Sequence, residues 1–194
     1  MFLIQMILSI AFNIVLVSLV ARFLAQMARA DFYNPLAQTV VKITDPFLKP
    51  ARRIIPSVAG LDMASLILII LGQLLYSVLI LLINGVNPST YISTLVIGSL
   101  IASGVLILWV IYWSMIIVAI ASFILMGQHN PFVYFISQMI EPFVGPFRRL
   151  NLQIGVLDLS FILAIIVIYL LKDFLLLQTI GPVVGYTPRL FVGG

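Results

Sequence analysis

The sequence predicts an all-α membrane protein: four transmembrane helices in two parallel repeats of span, hairpin and span, with interfacial amphipathic helices in the cytoplasmic hairpins. Three observations predict it. Only 8% of the 194 residues are Asp, Glu, Lys or Arg, against roughly 25% in soluble domains. The hydrophobic fraction is 63% and the mean hydropathy +1.25, a composition suited to a chain dissolved in lipid. Polar signals between the apolar runs recur at one fixed offset of 96 residues, from Asn34-Pro35 to Asn130-Pro131.

The first span is expected over about 2–28, interrupted by Arg22 alone before Arg29. It lacks a basic leader, and its apolar part is too long for a signal-peptide core, so it reads as a retained span. The second, 63–83, has 21 residues, matching the ~20 needed to cross the hydrocarbon core. From Tyr91 to Gly127 there are 37 residues without a charge. As one helix these would extend ~55 Å, longer than a bilayer is thick. Projection of the offset places the third span at about 97–126 and leaves 84–96 as connector. Gly98/Ala102 and Ser99/Ser103 are small-xxx-small pairs suited to close helix contact. A fourth span is expected over 157–178, with Lys172 and Asp173 inside it and a C-terminal tail at 181–194.

At the same offset, Asp45-Pro46-Phe47 recurs as Glu141-Pro142-Phe143, Pro50 as Pro146, Arg52-Arg53 as Arg148-Arg149, and Leu61-Asp62 as Leu157-Asp158. Residues 1–83 and 97–180 therefore read as two repeats. Two spans per repeat give both the same orientation, a parallel duplication. Arg29, Lys42, Lys49, Arg52, Arg53, Arg148 and Arg149 fall in the hairpins, whereas the other side carries only Arg189, or Arg189 and Lys172 if the latter is counted there. The positive-inside rule then puts the hairpins in the cytoplasm and both termini outside. In the hairpins, Leu36, Val40, Ile43 and Phe47, and again Phe132, Ile136, Met139 and Phe143, form one apolar stripe per helix, with Gln38, Lys42 and Asp45 facing away. Such a helix lies in the membrane interface or packs on the ends of its own spans. Asp45-Pro46 and Glu141-Pro142 are expected to bend or end it.

The chain has no cysteine and a single histidine, His129, which leaves no disulfide, thiolate site or multi-histidine metal site to build. No cofactor is expected. Net charge is +4, but no basic run is interleaved with aromatics as nucleic-acid binding would require. Anionic lipid headgroups are the natural partner, with a membrane protein or a second copy as further possibilities. No Gly-rich phosphate loop, His-based triad or HExxH is present, so nothing calls for an enzyme.

Arg52, Arg53, Arg148 and Arg149 are candidates for clamping lipid phosphate or an acidic partner, because guanidinium forks bond phosphate bidentately beside a span. The plain alternative is topology setting and snorkelling. Asp62 and Asp158 stand where helix caps are needed, accepting from free amides and complementing the dipole. A sharper alternative pairs them as an aspartyl dyad sharing a proton. Arg22, Lys172 and Asp173 are the most costly residues at membrane depth, about 2.5 to 3.5 kcal/mol each. They either line a polar path or, more plainly, snorkel and mark a span end. Trp109, Tyr112 and Trp113 share one face of the third span and suit packing on another helix.

The chain resembles the YggT (YlmG-like) membrane family through Arg22, Asp31-Phe32-Tyr33-Asn34-Pro35, Asp45-Pro46, Pro50, Arg52-Arg53-Ile54-Ile55-Pro56, Gly60-Leu61-Asp62, and the second copy from Asn130 to Ser160. The two-copy layout looks like the proteobacterial inner-membrane form. Two departures stand out: Arg148-Arg149-Leu150 is followed by Asn151-Leu152 where the family favours proline, and Arg22 has Val118 as its counterpart. The resemblance implies a multi-pass protein linked, in different members, to osmotic tolerance, division-associated gene neighbourhoods, and plastid membrane or nucleoid organisation. It names no reaction. Two functions follow as expectations: a membrane scaffold or assembly factor using its Arg hairpins, or a small transporter or channel subunit.

Overall fold

In the computed structural model, which describes residues 2–58, 60–125, 128, 130–150, 153–154 and 157–193, four helices are long and apolar enough to cross a membrane. The first is α1 (Phe2–Met27). It ends in a Schellman turn: the Ala30 amide donates to the Ala25 carbonyl at 2.8 Å and the Arg29 amide to Gln26 at 3.1 Å. Arg29 sits there at φ 52°, a left-handed position that glycine usually fills. The second span, α3 (Met63–Ile83), starts at Asp62, whose side chain accepts from the Ser65 amide.

The third span is α4 (Ile92–Leu125), 34 residues long and preceded by a 3₁₀ turn over Pro88–Tyr91. Residues 92–96 are therefore helix, not connector. Asn87 explains the earlier start: its side chain accepts from the Ser89 amide at 3.0 Å, and Pro88 is already set for a helical first turn. The fourth span begins as α6 (Leu159–Tyr169), continues as a π-helix over Leu170–Ile180, and closes with α7 (Gly181–Val183). It runs five residues past the expected end at 178. The wider i→i+5 spacing also shows in Thr179, whose hydroxyl donates to the Phe174 carbonyl at 2.9 Å.

The hairpin helices are α2 (Pro35–Arg52) and α5 (Pro131–Arg148), whose ends lie 96 residues apart. Each starts at an Asn-Pro pair: Asn34 accepts from the Leu36 amide and Asn130 from the Phe132 amide, both at 2.9 Å. Neither helix ends at its acid-proline pair. α2 runs through Pro46 and Pro50, and α5 through Pro142 and Pro146. All four prolines are exposed, so the carbonyls that lose a donor lie towards the outer side, where other donors can reach them. The opposite face supplies the packing that keeps each helix intact.

That buried face is rotated from the expected stripe. α2 buries Ala37, Val40, Thr44 and Leu48, while Phe47 is half exposed. Ala37 has no bulk to hold α2 away from its neighbours, and Thr44 turns inward towards Arg22. Asp45, expected to face outward, also receives Arg22. The two hairpins touch at their beginnings. Asn34 Nδ2 donates to the Pro131 carbonyl at 2.6 Å, the Asp31 amide donates to Gln138 Oε1 at 3.0 Å, and buried Phe135 packs on Ala25, Ala30 and Ala37.

After α5, strands β1 (Gln153–Ile154) and β2 (Leu157–Asp158) pair antiparallel with Ile154 opposite Leu157. In the corresponding place after α2, Val58 bridges Leu61, around Gly60 at φ +81°. One apolar core joins α1, α3, α4, α5 and α6 through residues such as Leu16, Leu24, Ile69, Leu106, Met115, Ile140 and Ala164. Outward, Phe2, Ile7, Ile124 and Phe174 are between 60% and 75% exposed, a surface that suits lipid and not water. Tyr112 meets Tyr169 of α6 at 6.2 Å between ring centres, while Trp113 is 46% exposed. The aromatic face is thus only partly a packing surface.

Residues 184–193 do not extend away as a tail. They fold back between α3 and α4, where Phe191 and Val192 are buried. Gly98 lies against the Phe191 ring, and Ala102 joins Tyr186 and Phe191 in one cluster. Of the small residues expected to bring helices together, Gly98 and Ala102 accommodate this segment.

Candidate functional site

Two ionic clusters hold the first hairpin to its spans. Arg22, buried on α1, extends Nη1 to Asp45 Oδ1 at 2.5 Å, Thr44 Oγ1 at 2.7 Å and the Val41 carbonyl at 3.3 Å. Lys49, one turn along α2, reaches Asp45 Oδ2 at 2.8 Å. Bonds from Lys49 and Arg22 hold the Asp45 carboxyl below the usual carboxylate range. Arg22 thus binds the face of α2 that turns towards α1.

The second cluster forms where α2 ends and α3 begins. Arg52 Nη2 lies 2.5 Å from Asp62 Oδ2 and 2.7 Å from Gln26 Oε1, so one guanidinium joins α1, α2 and α3. Asp62 is 2% exposed and also accepts from the Ser65 hydroxyl at 2.5 Å and the Ser65 amide at 3.4 Å. Burial alone would raise its pKa, but the bonds from Arg52 and Ser65 outweigh burial and lower it. A carboxylate held this way caps a helix. The side chain of Asp158, the other half of the expected dyad, lies outside the described residues, as does His129.

The arginine pairs are divided. Arg148 pairs with Glu141 at 2.9 Å, both on α5 and both about half exposed. Arg53 and Arg149 follow at the C-caps of α2 and α5, exposed, with no side-chain hydrogen bond or ion pair among the described residues. Among the described residues, the first arginine of each hairpin is bonded to a carboxylate and the second has no such bond. This division is invisible in the sequence, where the two members look alike.

Lys172 and Asp173 sit in the π-helical stretch of the fourth span, 2.7 Å apart and mostly buried. They neutralise each other, which lowers the cost of both at membrane depth. Among the described residues no bond joins them to Arg22, so the three charges do not form one site. No group of three or more metal-binding side chains is found among the described residues.

Sequence reasoning passed over Gln73, which is fully buried in the middle of α3. Its Nε2 donates to the Val192 carbonyl and its Oε1 accepts from the Val192 amide, both at 2.9 Å. The one available signal was an uncapped polar side chain at the centre of an otherwise apolar span.

The family model described as CCB3/YggT matches residues 1–83 and 97–179, nearly the whole chain. The chain belongs to the CCB3/YggT family. An uncharacterized protein of Pseudomonas aeruginosa is 40% identical over 180 residues, covering 93% of this chain and 91% of its own length. An uncharacterized protein encoded in the proC 3′ region of Vibrio alginolyticus is 38% identical, covering 90% and 94%. The uncharacterized protein YggT of Escherichia coli strain K12 is 32% identical, covering 79% of each. No solved structure matches the chain. This chain is a multi-pass membrane protein of the YggT type.

Proposed function

We propose that this protein is a non-enzymatic organising protein of the bacterial inner membrane, serving envelope homeostasis under osmotic stress, whose hairpins face the cytoplasm and hold anionic phospholipid through Arg53 and Arg149. The observation that carries the reading is the division of the arginine pairs. Arg52 and Arg148 are bonded to carboxylates, while Arg53 and Arg149 stay exposed at the ends of two amphipathic helices beside the spans. Guanidinium groups match lipid phosphate in charge and fork geometry. The surplus of basic residues in the hairpins supports the cytoplasmic placement. The duplicated polar pattern, two hairpins built alike, supports two equivalent contacts per chain.

A second feature favours lipid over a protein partner. A groove of about 360 Å³ opens between α1 and α3, lined by Phe12, Leu16, Leu19, Phe47, Leu71 and Leu75, with almost no polar surface. Its chemistry suits an acyl chain. The alternative of a small transporter rests on Lys172 and Asp173 inside the fourth span, but these two charges lie 2.7 Å apart and offset each other.

Native mass spectrometry after mild-detergent release tests the lipid reading. The wild type is expected to carry phosphatidylglycerol in preference to phosphatidylethanolamine, and Arg53→Ala/Arg149→Ala to lose that preference at least threefold with the fold intact. Unchanged lipid binding, together with a near-stoichiometric protein partner lost from the same variant in a pull-down, would replace the lipid by a protein.

A further inference from the structure

The two hairpins begin and end alike, but the space where each packs on its first span is filled differently. In the first, Arg22 leaves α1 and is buried against α2, where Asp45, the Thr44 hydroxyl and the Val41 carbonyl receive it. Lys49 takes the other oxygen of Asp45. Phe135 of α5 packs over Ala25 and Ala37, both fully buried, and completes the filling. At the offset of 96 residues each of these groups has a smaller replacement: Val118 for Arg22, Ile140 for Thr44 without its hydroxyl, and Gly145 for Lys49. Phe135 itself answers to Thr39, which is exposed and too short to return the contact. The result is a cleft of about 300 Å³ between α4 and α5, lined by Val118, Ala121, Leu125 and Val133 together with Ser122 and Ser137. Ala121 and Val133 stand at the positions of Ala25 and Ala37, yet they are only half-buried.

The lining decides what the cleft accepts. Ser122 spends its hydroxyl hydrogen on the Ala119 carbonyl at 2.7 Å and Ser137 on the Tyr134 carbonyl at 2.8 Å, so each oxygen offers only lone pairs. Thr44 does the same with the Val40 carbonyl at 2.8 Å, and its remaining lone pair takes Arg22. Among the described residues no donor plays that part for Ser122 or Ser137. The acid is present as well, because Glu141 lies one turn beyond Ser137 on α5. With no cation from the span and glycine in place of the lysine one turn on, its longer side chain turns to Arg148 at 2.9 Å. Both ends of that pair are about half exposed, and an exposed pair of this kind exchanges partners at little cost. Acceptor oxygens, an acid and an apolar wall together select a cationic donor on an alkyl stem, which lies along Val118 and Leu125 as arginine stems lie along apolar surface. We propose that the cleft between α4 and α5 is a binding site for a small organic cation with an alkylguanidinium or alkylammonium end, seated as Arg22 is in the first hairpin, with Glu141 as counter-ion. The site uses neither Arg53 nor Arg149 and stands or falls apart from the lipid reading.

Agmatine, a guanidinium on a butyl stem that ends in an amine, is the probe, titrated calorimetrically into the full chain in dodecyl maltoside at fixed ionic strength. The expected result is saturable binding of one agmatine per chain and no binding of butylurea, which keeps a similar shape and lacks the charge. Glu141→Gln should weaken agmatine binding at least about tenfold, the loss expected when a hydrogen bond to a charged group is removed. Val118→Arg should abolish it with the circular dichroism of the wild type retained, because the introduced side chain takes the seat that Arg22 has in the first hairpin. Val118→Phe blocks the same cleft without adding a charge and should weaken binding likewise, which keeps the test decisive if Val118→Arg does not fold. Absence of saturable binding to the wild type, or equal affinity for butylurea, would overturn the site. So would an agmatine affinity left unchanged by Glu141→Gln or by a folded Val118 variant.

Discussion

Replacing Arg52 and Arg53 separately by alanine should give two very different proteins, although the residues are adjacent and chemically identical. In Arg52→Ala, the Asp62 carboxylate stays 2% exposed and keeps only Ser65 as partner, while Gln26 also loses its bond. Removing one partner of a buried ion pair costs about 3–5 kcal/mol. The Arg52 side chain is 36% exposed, so screening places the expected loss lower, at about 2–3 kcal/mol. Arg53→Ala removes no hydrogen bond or ion pair among the described residues and should stay within about 0.5 kcal/mol of wild type.

Acid separates this account from a nonspecific loss of helix. The wild-type Asp62 pKa is lowered by Arg52 and Ser65 against the opposing effect of burial. Its contribution is therefore present above the unfolded-state pKa and is lost as pH falls through the lower folded-state value. Without Arg52, burial dominates, the folded-state pKa rises, and acid removes a buried charge instead of a useful one. The gap between wild type and Arg52→Ala should narrow as pH falls from 7 towards 4 and below. Denaturant unfolding in mild detergent, followed by far-ultraviolet circular dichroism, measures both variants. Equal stability of the two, or a gap independent of pH, would refute the reasoning.

Gln73→Leu should cost about 2 kcal/mol or more by leaving both polar groups of Val192 unpaired, and should make a cysteine placed at 193 react faster with a maleimide. Asp45→Asn should flatten the acid limb of the stability profile, because the lowered Asp45 pKa makes its bonds to Arg22 and Lys49 a source of stability above the unfolded-state value that disappears as pH falls through the folded one. Arg29→Gly should be neutral or stabilising by up to about 1 kcal/mol, since relief of the left-handed backbone at φ 52° exceeds the loss of a favourable charge at the helix end; a loss of more than 1 kcal/mol would mean that the Arg29 side chain holds something.

The sequence carried most of the local structure. Asn34-Pro35 and Asn130-Pro131 start helices because an Asx acceptor and a fixed proline φ act within three residues. Asp62 caps α3 for the same reason. Where the reading stopped short, another force decided. The 96-residue projection placed the third span at 97, but the Asn87-Pro88 start signal acts locally and begins the helix earlier. Pro46 and Pro142 did not end their helices, because a buried face held each helix together while the disrupted carbonyls stayed outward.

The sequence by itself determined that the chain lives in lipid, how many times it can cross, and where its helices begin, because apolar runs and caps are properties of neighbouring residues. Only the tertiary structure decided which arginine of each pair is occupied, that Arg22 meets Asp45, and that Gln73 holds Val192. Those outcomes depend on the rotation of one helix against another, and on contacts between residues as many as 119 positions apart. A one-residue turn of about 100° exchanges a buried face for an exposed one, and no pattern along the chain fixes that angle before the helices pack.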